Sequence, residues 1–350
     1  MSWWRMSRRF NRIYQNALKP ENRIPFSAET DRIVVFSDHH KGDGSAADDF
    51  LKNAAVYSEA LSHYRSEGFR LVVLGDNEEL WENRIDQILP HHREVIQQEI
   101  AMAPESPDGK KIRVWGNHDK EVSLRRFRRI CRKRKLRIFD GVDYREGVCL
   151  GEDIFCVHGH QGRFFEDRAW RLSRWAVQVI WKTIQMIFRI GVDGPAENAR
   201  IRDDLEAQYY RWAKKKRLLL ICGHTHRVMF ASLTYPDLLR QGIFGQTTAS
   251  EAVGAEKTEG LSGMIRREGG QPVQSLEPDG TWPVPCYFND GCCGYTDGIT
   301  CLELDRGTAR LVQWGREDFR RKVLAEGRLL RFFASIKEGR TVDTHIGDAV

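Results

Sequence analysis

Gly116-Asn117-His118-Asp119 brings an amide, an imidazole and a carboxylate together directly after an apolar run at residues 112–115. The run predicts a buried strand, and the glycine allows the sharp turn in which that strand would end. Such side chains could bind a metal ion or transfer a proton. Strand-end turns are also built from Gly, Asn and Asp for structural reasons, so the tetrapeptide alone does not identify a site.

Four other apolar runs, at residues 32–37, 71–74, 154–157 and 218–222, end in side chains of the same kind. These ends are Asp38-x-His40, Gly75-Asp76-x-x-Glu79, His158 and Gly223-His224-Thr225-His226. Carboxylate and amide oxygens mixed with imidazole nitrogens suit Mn²⁺, Fe or Zn²⁺, and the five blocks contain no thiolate. The series therefore predicts a metal site.

Helix-length segments separate the apolar runs, and residues 48–67 predict the helix that connects the first strand to the second. Units in which a helix joins two strands give parallel strands, whose carboxyl ends share one edge of a sheet. We therefore expect α/β architecture in which the five blocks converge.

In this order the blocks resemble those of the calcineurin-like metallophosphoesterases, over residues 31–315. The resemblance implies a sandwich of two mixed β-sheets flanked by helices (αββα), with a helical insertion. It also implies two divalent metal ions, with Mn as the first choice and Fe and Zn as alternatives. Metal one would take Asp38, His40, Asp76 and His226, and metal two would take Asp76, Asn117, His158 and His224.

The implied reaction is hydrolysis of a phosphoester or pyrophosphate by a hydroxide that bridges the metals and attacks phosphorus in line. His118 would donate to the phosphoryl oxygens or protonate the leaving group, with Asp119 fixing its orientation. Glu79 would hydrogen-bond to a ligand histidine or to water. His158 directly continues its strand and matches the family position, which leaves His160 to face the substrate.

The 350-residue chain carries a formal net charge of +6 that is unevenly spread. Residues 1–20 contain basic side chains and no acidic one, and Arg and Lys dominate residues 124–137. Local basic surfaces indicate an anionic partner, which could be a substrate phosphate, nucleic acid or a membrane. The sequence indicates no obligate protein partner.

The eight cysteines form no CxxC pair, and the sequence shows neither a secretory signal nor a long uncharged apolar run. We therefore expect a cytoplasmic protein, with peripheral attachment to the inner membrane face as an alternative. Adjacent Cys292 and Cys293 are interpreted as buried, inert thiols in preference to a redox pair.

The sequence pattern divides the chain into a basic amphipathic N-terminal arm at residues 1–29, a phosphoesterase domain at 30–315 and a C-terminal helix and tail at 316–350. The C-terminal helix is predicted at residues 318–335. Within the domain, a helical lid is predicted at 162–216 and a mobile loop at 253–285. The arm could pack on its own domain or lie on a membrane surface, and both alternatives remain open.

Residues 170–190 combine tryptophans and large aliphatic side chains with Arg and Lys, which predicts an amphipathic lid for a lipid-like substrate or a membrane. Alternatively, they pack against residues 198–212 and close a helical hairpin. The Arg-rich helix after residue 123 is typical of a solvated face, but it leaves directly from the Gly116 turn. Arg125 on this helix is therefore a candidate substrate-binding residue. Arg227, directly after His226, is a second candidate.

Within the family, the Gly-Asp-x-x-Glu block, the helical insertion and Gly-His-Thr-His-Arg look most like bacterial UDP-2,3-diacylglucosamine diphosphatases, which hydrolyse a lipid-linked pyrophosphate. This chain is longer than expected for members of that group, and His118 occupies a position where they more typically have Arg. The alternatives are a nucleic-acid or cyclic-nucleotide phosphodiesterase and a non-catalytic scaffold. A scaffold of this fold usually loses ligands, whereas all are present here.

Overall fold

The computed structural model describes residues 3–161, 199–234, 238 and 283–339. The helices are α1 (Trp3–Ala17), α2 (Ala54–Ser66), α3 (Ile85–Met102), α4 (Arg125–Lys133), α5 (Ala199–Lys216) and α6 (Leu329–Glu338). The strands are β1 (Arg32–Phe36), β2 (Arg70–Val73), β3 (Lys111–Val114), β4 (Val142–Arg145), β5 (Gly147–Leu150), β6 (Ile154–Val157), β7 (Leu219–Cys222), β8 (Met229–Phe230), β9 (Leu233–Thr234), β10 (Tyr287–Asn289), β11 (Gly298–Asp305), β12 (Thr308–Gly315) and β13 (Arg321–Arg328).

The described strands form two mixed sheets and a two-stranded extension. One sheet has the order β13-β12-β11-β1-β2, and the other has the order β5-β6-β7-β10-β8-β9. Strands β1 and β2 run parallel in the first sheet, as do β6, β7 and β10 in the second. The β3–β4 pair joins the first sheet through a parallel bridge between Leu74 and Val114. The predicted sandwich is confirmed.

Strand β1 is apolar at every position after Arg32 because both of its faces are buried. Ile33 and Val35 lie in the core shared by the two sheets, whereas Val34 and Phe36 lie in a second core beneath α2. A strand buried on both faces has no polar side to present. Burial of this kind fixes the register of β1, and with it the position of the residues that follow the strand.

Helix α1 packs on the domain. Its buried face consists of Met6, Phe10, Ile13 and Ala17, and the Phe10 ring stacks on Tyr209 of α5 with 5.5 Å between ring centroids. The arm is thus attached to the core along this face, as one of the two alternatives proposed. In the described part of the chain, no helix is long and apolar enough to cross a bilayer.

Helix α5 corrects the extent of the predicted lid. The helix buries Leu205, Tyr209, Tyr210 and Trp212 in the core that the two sheets share. One face of α5 is therefore part of the core, which limits the predicted lid to residues 162–198. That segment, including residues 170–190, lies outside the described residues, as do most of the predicted loop at 253–285 and the tail beyond residue 339.

The predicted helix at residues 318–335 is wrong over its first half. Residues 321–328 form β13, which pairs with β12 from Trp314↔Arg321 to Thr308↔Arg328, and only then does α6 begin. Hydrogen bonding to the edge of β12, with burial of Leu324 and Ala325, outweighs the helix propensity of this Arg- and Leu-rich segment. The sheet therefore continues beyond the predicted domain boundary at 315.

All eight cysteines are buried and none forms a disulfide, including Cys292 and Cys293. Burial raises the pKa of Cys149 to about 12 and that of Cys131 to about 11. Because the thiolate is the reactive form, these thiols are inert at neutral pH, in line with the interpretation of Cys292 and Cys293.

Candidate metal centre

The ends of β1, β2, β3, β6 and β7 lie at one end of the sandwich and bring the predicted ligands together. Among the described residues, three groups of ligand atoms each fall within 4.8 Å of one another; the third group is His40, Glu79 and His118, and the other two contain only predicted ligands. Of these two, one group is Asp38, His40 and His226, and the other is Asp76, His158 and His224. These two groups correspond to the carboxylate and imidazole ligands predicted for metal one and metal two.

Five of the predicted ligand residues adopt a left-handed backbone conformation. Their φ angles are 53° for Asp38, 50° for His40, 49° for Asp76, 68° for His224 and 54° for His226. Residues with a Cβ atom rarely occupy this region, although Asp and His do so more often than most. The chain thereby reverses direction where each strand ends.

The Asp38 carboxylate uses its two oxygens differently. Oδ2 accepts hydrogen bonds from the Ser37 hydroxyl at 2.5 Å and from the backbone N–H of His224 at 2.8 Å. Oδ1 lies 3.1 Å from Nε2 of His226 and 3.9 Å from Nε2 of His40. One oxygen is thus held by the protein, and the other faces the histidines.

The Asp76 carboxylate is divided in the same way. Oδ1 accepts a hydrogen bond from the backbone N–H of His118 at 2.8 Å. Oδ2 lies 3.0 Å from Nε2 of His158 and 4.0 Å from Nε2 of His40. Since His40 and His158 belong to different ligand groups, Oδ2 of Asp76 lies between the two groups, where a bridging ligand is needed.

Several buried atoms near Asp38 and Asp76 are of types that bind metal ions, and they make no hydrogen bond. Among the described residues, none bonds to Nε2 of His40, Oδ1 of Asn117 or Nε2 of His158. Two ligands at right angles around an ion, each at about 2.1 Å, would be about 3.0 Å apart, which matches the separations of Asp76 from His158 and Asp38 from His226. The residues present therefore fit a divalent metal pair.

The tautomers of two histidines also fit metal binding. Nδ1 of His158 donates to the carbonyl oxygen of Leu74 at 2.9 Å, and Nδ1 of His40 donates to Glu79 Oε2 at 2.9 Å. A proton on Nδ1 leaves a lone pair on Nε2 for a metal. Both Nε2 atoms face the carboxylates of the centre.

The chain matches the family model for calcineurin-like phosphoesterase over residues 31–228, which is more than half of its length. It belongs to this family. Members of this family typically bind two divalent metal ions and hydrolyse phosphoesters, in agreement with the two groups of predicted ligands. Among solved structures, vacuolar protein sorting 29 from Cryptosporidium parvum is similar, with 12% identity, a TM-score of 0.35 and coverage of 86% of this chain and 98% of that one. No curated protein matches the sequence.

Glu79, and not Asp119, orients His118 in this phosphoesterase. Oε2 of Glu79 accepts from Nδ1 of His118 at 2.7 Å and also from Nδ1 of His40. Asp119 instead accepts from the backbone N–H groups of Gly116 at 2.6 Å and Asn77 at 2.9 Å. The predicted role of Asp119 is therefore corrected, because its carboxylate is occupied in joining the turn after β3 to the turn after β2.

Burial and neighbouring charges set the protonation of these groups. Burial alone would lower the pKa of His118, but the carboxylates of Glu79 and Asp76 outweigh it and raise that pKa to about 10. Burial would raise the pKa of Glu79, but His118 and His40 lower it to about 2. Burial and the nearby Asp76 and Glu78 raise the pKa of Asp119 to about 7. Nδ1–H of His118 is thus held by a carboxylate, and the neighbouring carboxylates favour the protonated form of the ring.

Gly116 is required at its position by the approach of Asp76. A Cβ atom on Gly116 would lie 2.1 Å from Oδ1 of Asp76, which is closer than any non-bonded contact allows. Gly75 adopts φ +91° beside it, and a Cβ there would lie 2.7 Å from the backbone nitrogen of Gly116. The two glycines let the turns after β2 and β3 pack directly against each other.

His160 is buried close to the second ligand group. Its ring centroid lies 5.5 Å from that of His158 and 6.4 Å from that of His224. Neither ring nitrogen has a hydrogen-bond partner in the described part of the structure. His160 thus offers an unused polar side chain beside the centre, and its role in substrate binding remains a prediction.

The two arginines predicted to bind substrate differ in their surroundings. Arg227 is buried and pairs with Asp203 at 2.8 Å and with Glu206, both on α5. Glu206 also accepts a hydrogen bond from the Thr225 hydroxyl at 2.8 Å, so Arg227 stabilises the loop that carries His224 and His226. This corrects its predicted role. Arg125 is exposed at the first residue of α4, and its role remains a prediction.

A buried ionic cluster beneath the centre was not identified from the sequence. Glu99 of α3 accepts from Lys41 at 2.7 Å and from the Tyr57 hydroxyl at 3.0 Å, and Arg113 pairs with Glu78 at 2.9 Å. These charged side chains are almost completely buried. The cluster joins the turns after β1 and β2 to β3 and α3. Glu99 lies 58 residues after Lys41, so no local sequence pattern predicts that they pair.

Proposed function

We propose that this phosphoesterase hydrolyses a lipid-linked or nucleotide-sugar-like pyrophosphate at a dinuclear centre that contains Mn²⁺. The observation that supports the dinuclear centre is the position of Asp76 Oδ2 between the two ligand groups. The residues that would hold metal one are Asp38, His40, Asp76 and His226, and those that would hold metal two are Asp76, Asn117, His158 and His224.

When bound, the two ions supply a hydroxide nucleophile near neutral pH and offset the charge of the phosphoryl group. The protein holds the ligands before substrate arrives, because Asp38 and Asp76 are each fixed by a backbone N–H. Pre-arranged ligands need no reorganisation during the reaction.

His118 would act as the acid. Its Nδ1–H is held by Glu79, which leaves Nε2–H of the imidazolium as the donor toward the substrate. As the bond between phosphorus and the leaving oxygen breaks, the proton on Nε2 passes to that oxygen. His160, beside the second ligand group, would contact the substrate on another side.

The lipid-linked substrate is supported by the branch resemblance and by the outer face of α1. Trp4 is 74% exposed at the first turn, and Arg5, Arg8 and Arg12 are exposed on the same helix. No acidic group of the described residues pairs with these three arginines. Tryptophan next to arginine suits the headgroup region of an anionic membrane, so we propose peripheral attachment at the cytoplasmic face.

A nucleic-acid phosphodiesterase is the second candidate because of α4. Arg125, Arg126, Arg128, Arg129 and Arg132 are exposed on this short helix, which follows the turn that contains His118. Such a basic surface would attract a polyphosphate backbone. A non-catalytic scaffold is disfavoured because the predicted ligands are all present and, apart from Asn117, fall into the two groups.

The test compares four substrates with purified protein in the presence of Mn²⁺, Fe²⁺ or Zn²⁺. They are bis-p-nitrophenyl phosphate, a soluble UDP-sugar, an acylated UDP-sugar in mixed micelles and single-stranded DNA. The proposal predicts that kcat/KM is highest for the acylated UDP-sugar and that Mn²⁺ supports the fastest turnover. Preference for DNA would favour the second candidate, and failure to hydrolyse any of the four with two metals bound would contradict the proposed function.

A further inference from the structure

Trp81 contacts both His118 and the residue before it. The indole stacks on the His118 imidazole with 4.2 Å between centroids and 17° between planes. The indole N–H donates to the backbone carbonyl of Asn117 at 2.7 Å. Trp81 therefore touches the proposed acid and the backbone of a proposed metal ligand at once.

The His40 ring also contacts His118, edge to face with 4.6 Å between centroids, and Glu79 holds the same ring by a hydrogen bond. Its Oε2 accepts from Nδ1 of His118 at 2.7 Å, while its Oε1 accepts from the backbone N–H of Trp81 at 3.2 Å. The hydrogen bond to Glu79 sets the direction of the ring within its plane, and the indole sets the plane itself. His118 is only partly buried, at 25% exposure, so surrounding core does not fix it.

We propose that Trp81 is a positioning residue that holds the His118 imidazole so that Nε2–H reaches the leaving oxygen. This inference rests on the proposed role of His118 as the acid. The flat indole face restricts rotation of the imidazole about its Cα–Cβ and Cβ–Cγ bonds. Displacement of a reacting group by about 1 Å can lower a rate by roughly 10²-fold.

Two substitutions separate the two contacts of Trp81. Trp81→Phe keeps an aromatic face toward His118 but loses the N–H that binds the Asn117 carbonyl. Trp81→Leu loses both. Trp314 provides a matched control, since it also lies against a histidine ring, His63, at 5.3 Å and donates its indole N–H to Tyr64 at 3.1 Å. Trp314→Leu therefore reports the effect of a lost buried indole in the core beneath α2.

The substrates are aryl methyl phosphates whose leaving phenols increase in basicity from p-nitrophenol to phenol. A more basic leaving oxygen depends more on the acid. In Trp81→Leu we expect kcat for the phenyl ester to fall roughly 10- to 100-fold, with a loss below about threefold for the p-nitrophenyl ester, unchanged KM and two metals retained. The kcat of Trp81→Phe for the phenyl ester should lie between that of Trp81→Leu and that of the wild type.

If Trp81 had a purely structural role, its loss would not make kcat depend more steeply on the basicity of the leaving group. Trp314→Leu should lower the melting temperature and leave that dependence as in wild type. An equal loss on every ester in Trp81→Leu, or wild-type rates, would overturn the inference while leaving the proposed function intact. Wild-type protein that binds two metals and hydrolyses neither these esters nor the acylated UDP-sugar would instead contradict the proposed function.

Discussion

Nε2 of His158 lies 3.0 Å from Oδ2 of Asp76 but makes no aligned hydrogen bond to it. Nδ1 of the same imidazole donates to the Leu74 carbonyl, so the proton is on the far side of the ring. Two acceptor atoms at this separation repel each other unless a proton or a cation lies between them. Burial would lower the pKa of His158, but Asp76 and Asp38 raise it to about 9, so either a proton on Nε2 or a divalent cation would offset this repulsion.

Asp76→Ala should remove both metals, because Oδ2 of Asp76 is the oxygen shared by the two ligand groups. Elemental analysis of the wild type should give two metals per chain, and the variant should give close to none. His226→Ala, which affects only the Asp38 group, is the control and should retain one metal. Full metal content in Asp76→Ala would contradict a bridging role.

His118→Ala should keep both metals while kcat falls by roughly 10²- to 10⁴-fold, the usual effect of losing a positioned acid or donor. The reason is that Glu79, and no group of the centre itself, holds the Nδ1 of His118. Metal content and kcat are measured on the same preparation. Loss of a metal together with activity would make His118 a ligand.

Gly116→Ala should displace Asp76, because the added Cβ would lie 2.1 Å from Oδ1 of that residue. We expect reduced metal content and a lower melting temperature, as for other steric overlaps in a packed interior. Gly294→Ala is the matched control, since its nearest atom would be Sγ of Cys292 at 3.9 Å. Equal metal content in both variants would argue against this packing constraint.

Glu99→Gln tests the buried ionic cluster through pH. Burial would raise the pKa of Glu99, but Lys41, His39 and Arg113 lower it to about 2, below its value of 4.5 in the unfolded chain. The ionised form thus contributes stability above pH 4.5, which is lost as the pH falls toward 2. The contribution is about 3 kcal/mol.

The free energy of unfolding of chelator-treated protein should therefore differ most between wild type and Glu99→Gln at neutral pH. We expect a loss of roughly 3–5 kcal/mol there, since Lys41 loses its charged partner, and the difference should shrink below pH 4.5. Glu105→Gln is the control, because the pair of Glu105 with Lys111 is largely exposed and contributes little. A constant difference from pH 7 to pH 3 would contradict the assigned pKa of Glu99.

Arg227→Gln should act on stability and not on substrate selection, because its guanidinium is engaged with Asp203 and Glu206. The expected result is a lower melting temperature, with kcat/KM reduced by the same factor for bis-p-nitrophenyl phosphate and for a UDP-sugar. Glu206→Gln should reproduce this pattern. A selective rise in KM for the UDP-sugar would restore Arg227 as a substrate-binding residue.

The local sequence predicts where strands end, but it does not predict which distant segments contact each other. Asp38, Asp76 and His158 follow apolar runs that could only be buried strands, so their convergence was predictable. The partner of His118 was not, because Glu79 and Asp119 are both acidic and only the packing of β2 against β3 decides which of them reaches the imidazole. Residues 321–328 form a strand because the edge of β12 is available, a condition that no local pattern expresses.

The left-handed conformations of five predicted ligands, Asp38, His40, Asp76, His224 and His226, would couple folding to metal supply. Each such conformation costs roughly 1 kcal/mol or more, and a domain of ordinary stability has only about 5–15 kcal/mol in total. A metal that binds only the native chain adds stability in proportion to the logarithm of its free concentration. Under metal starvation a larger fraction of molecules would be unfolded and open to proteolysis, so the abundance of this phosphoesterase would itself report the free metal in its compartment.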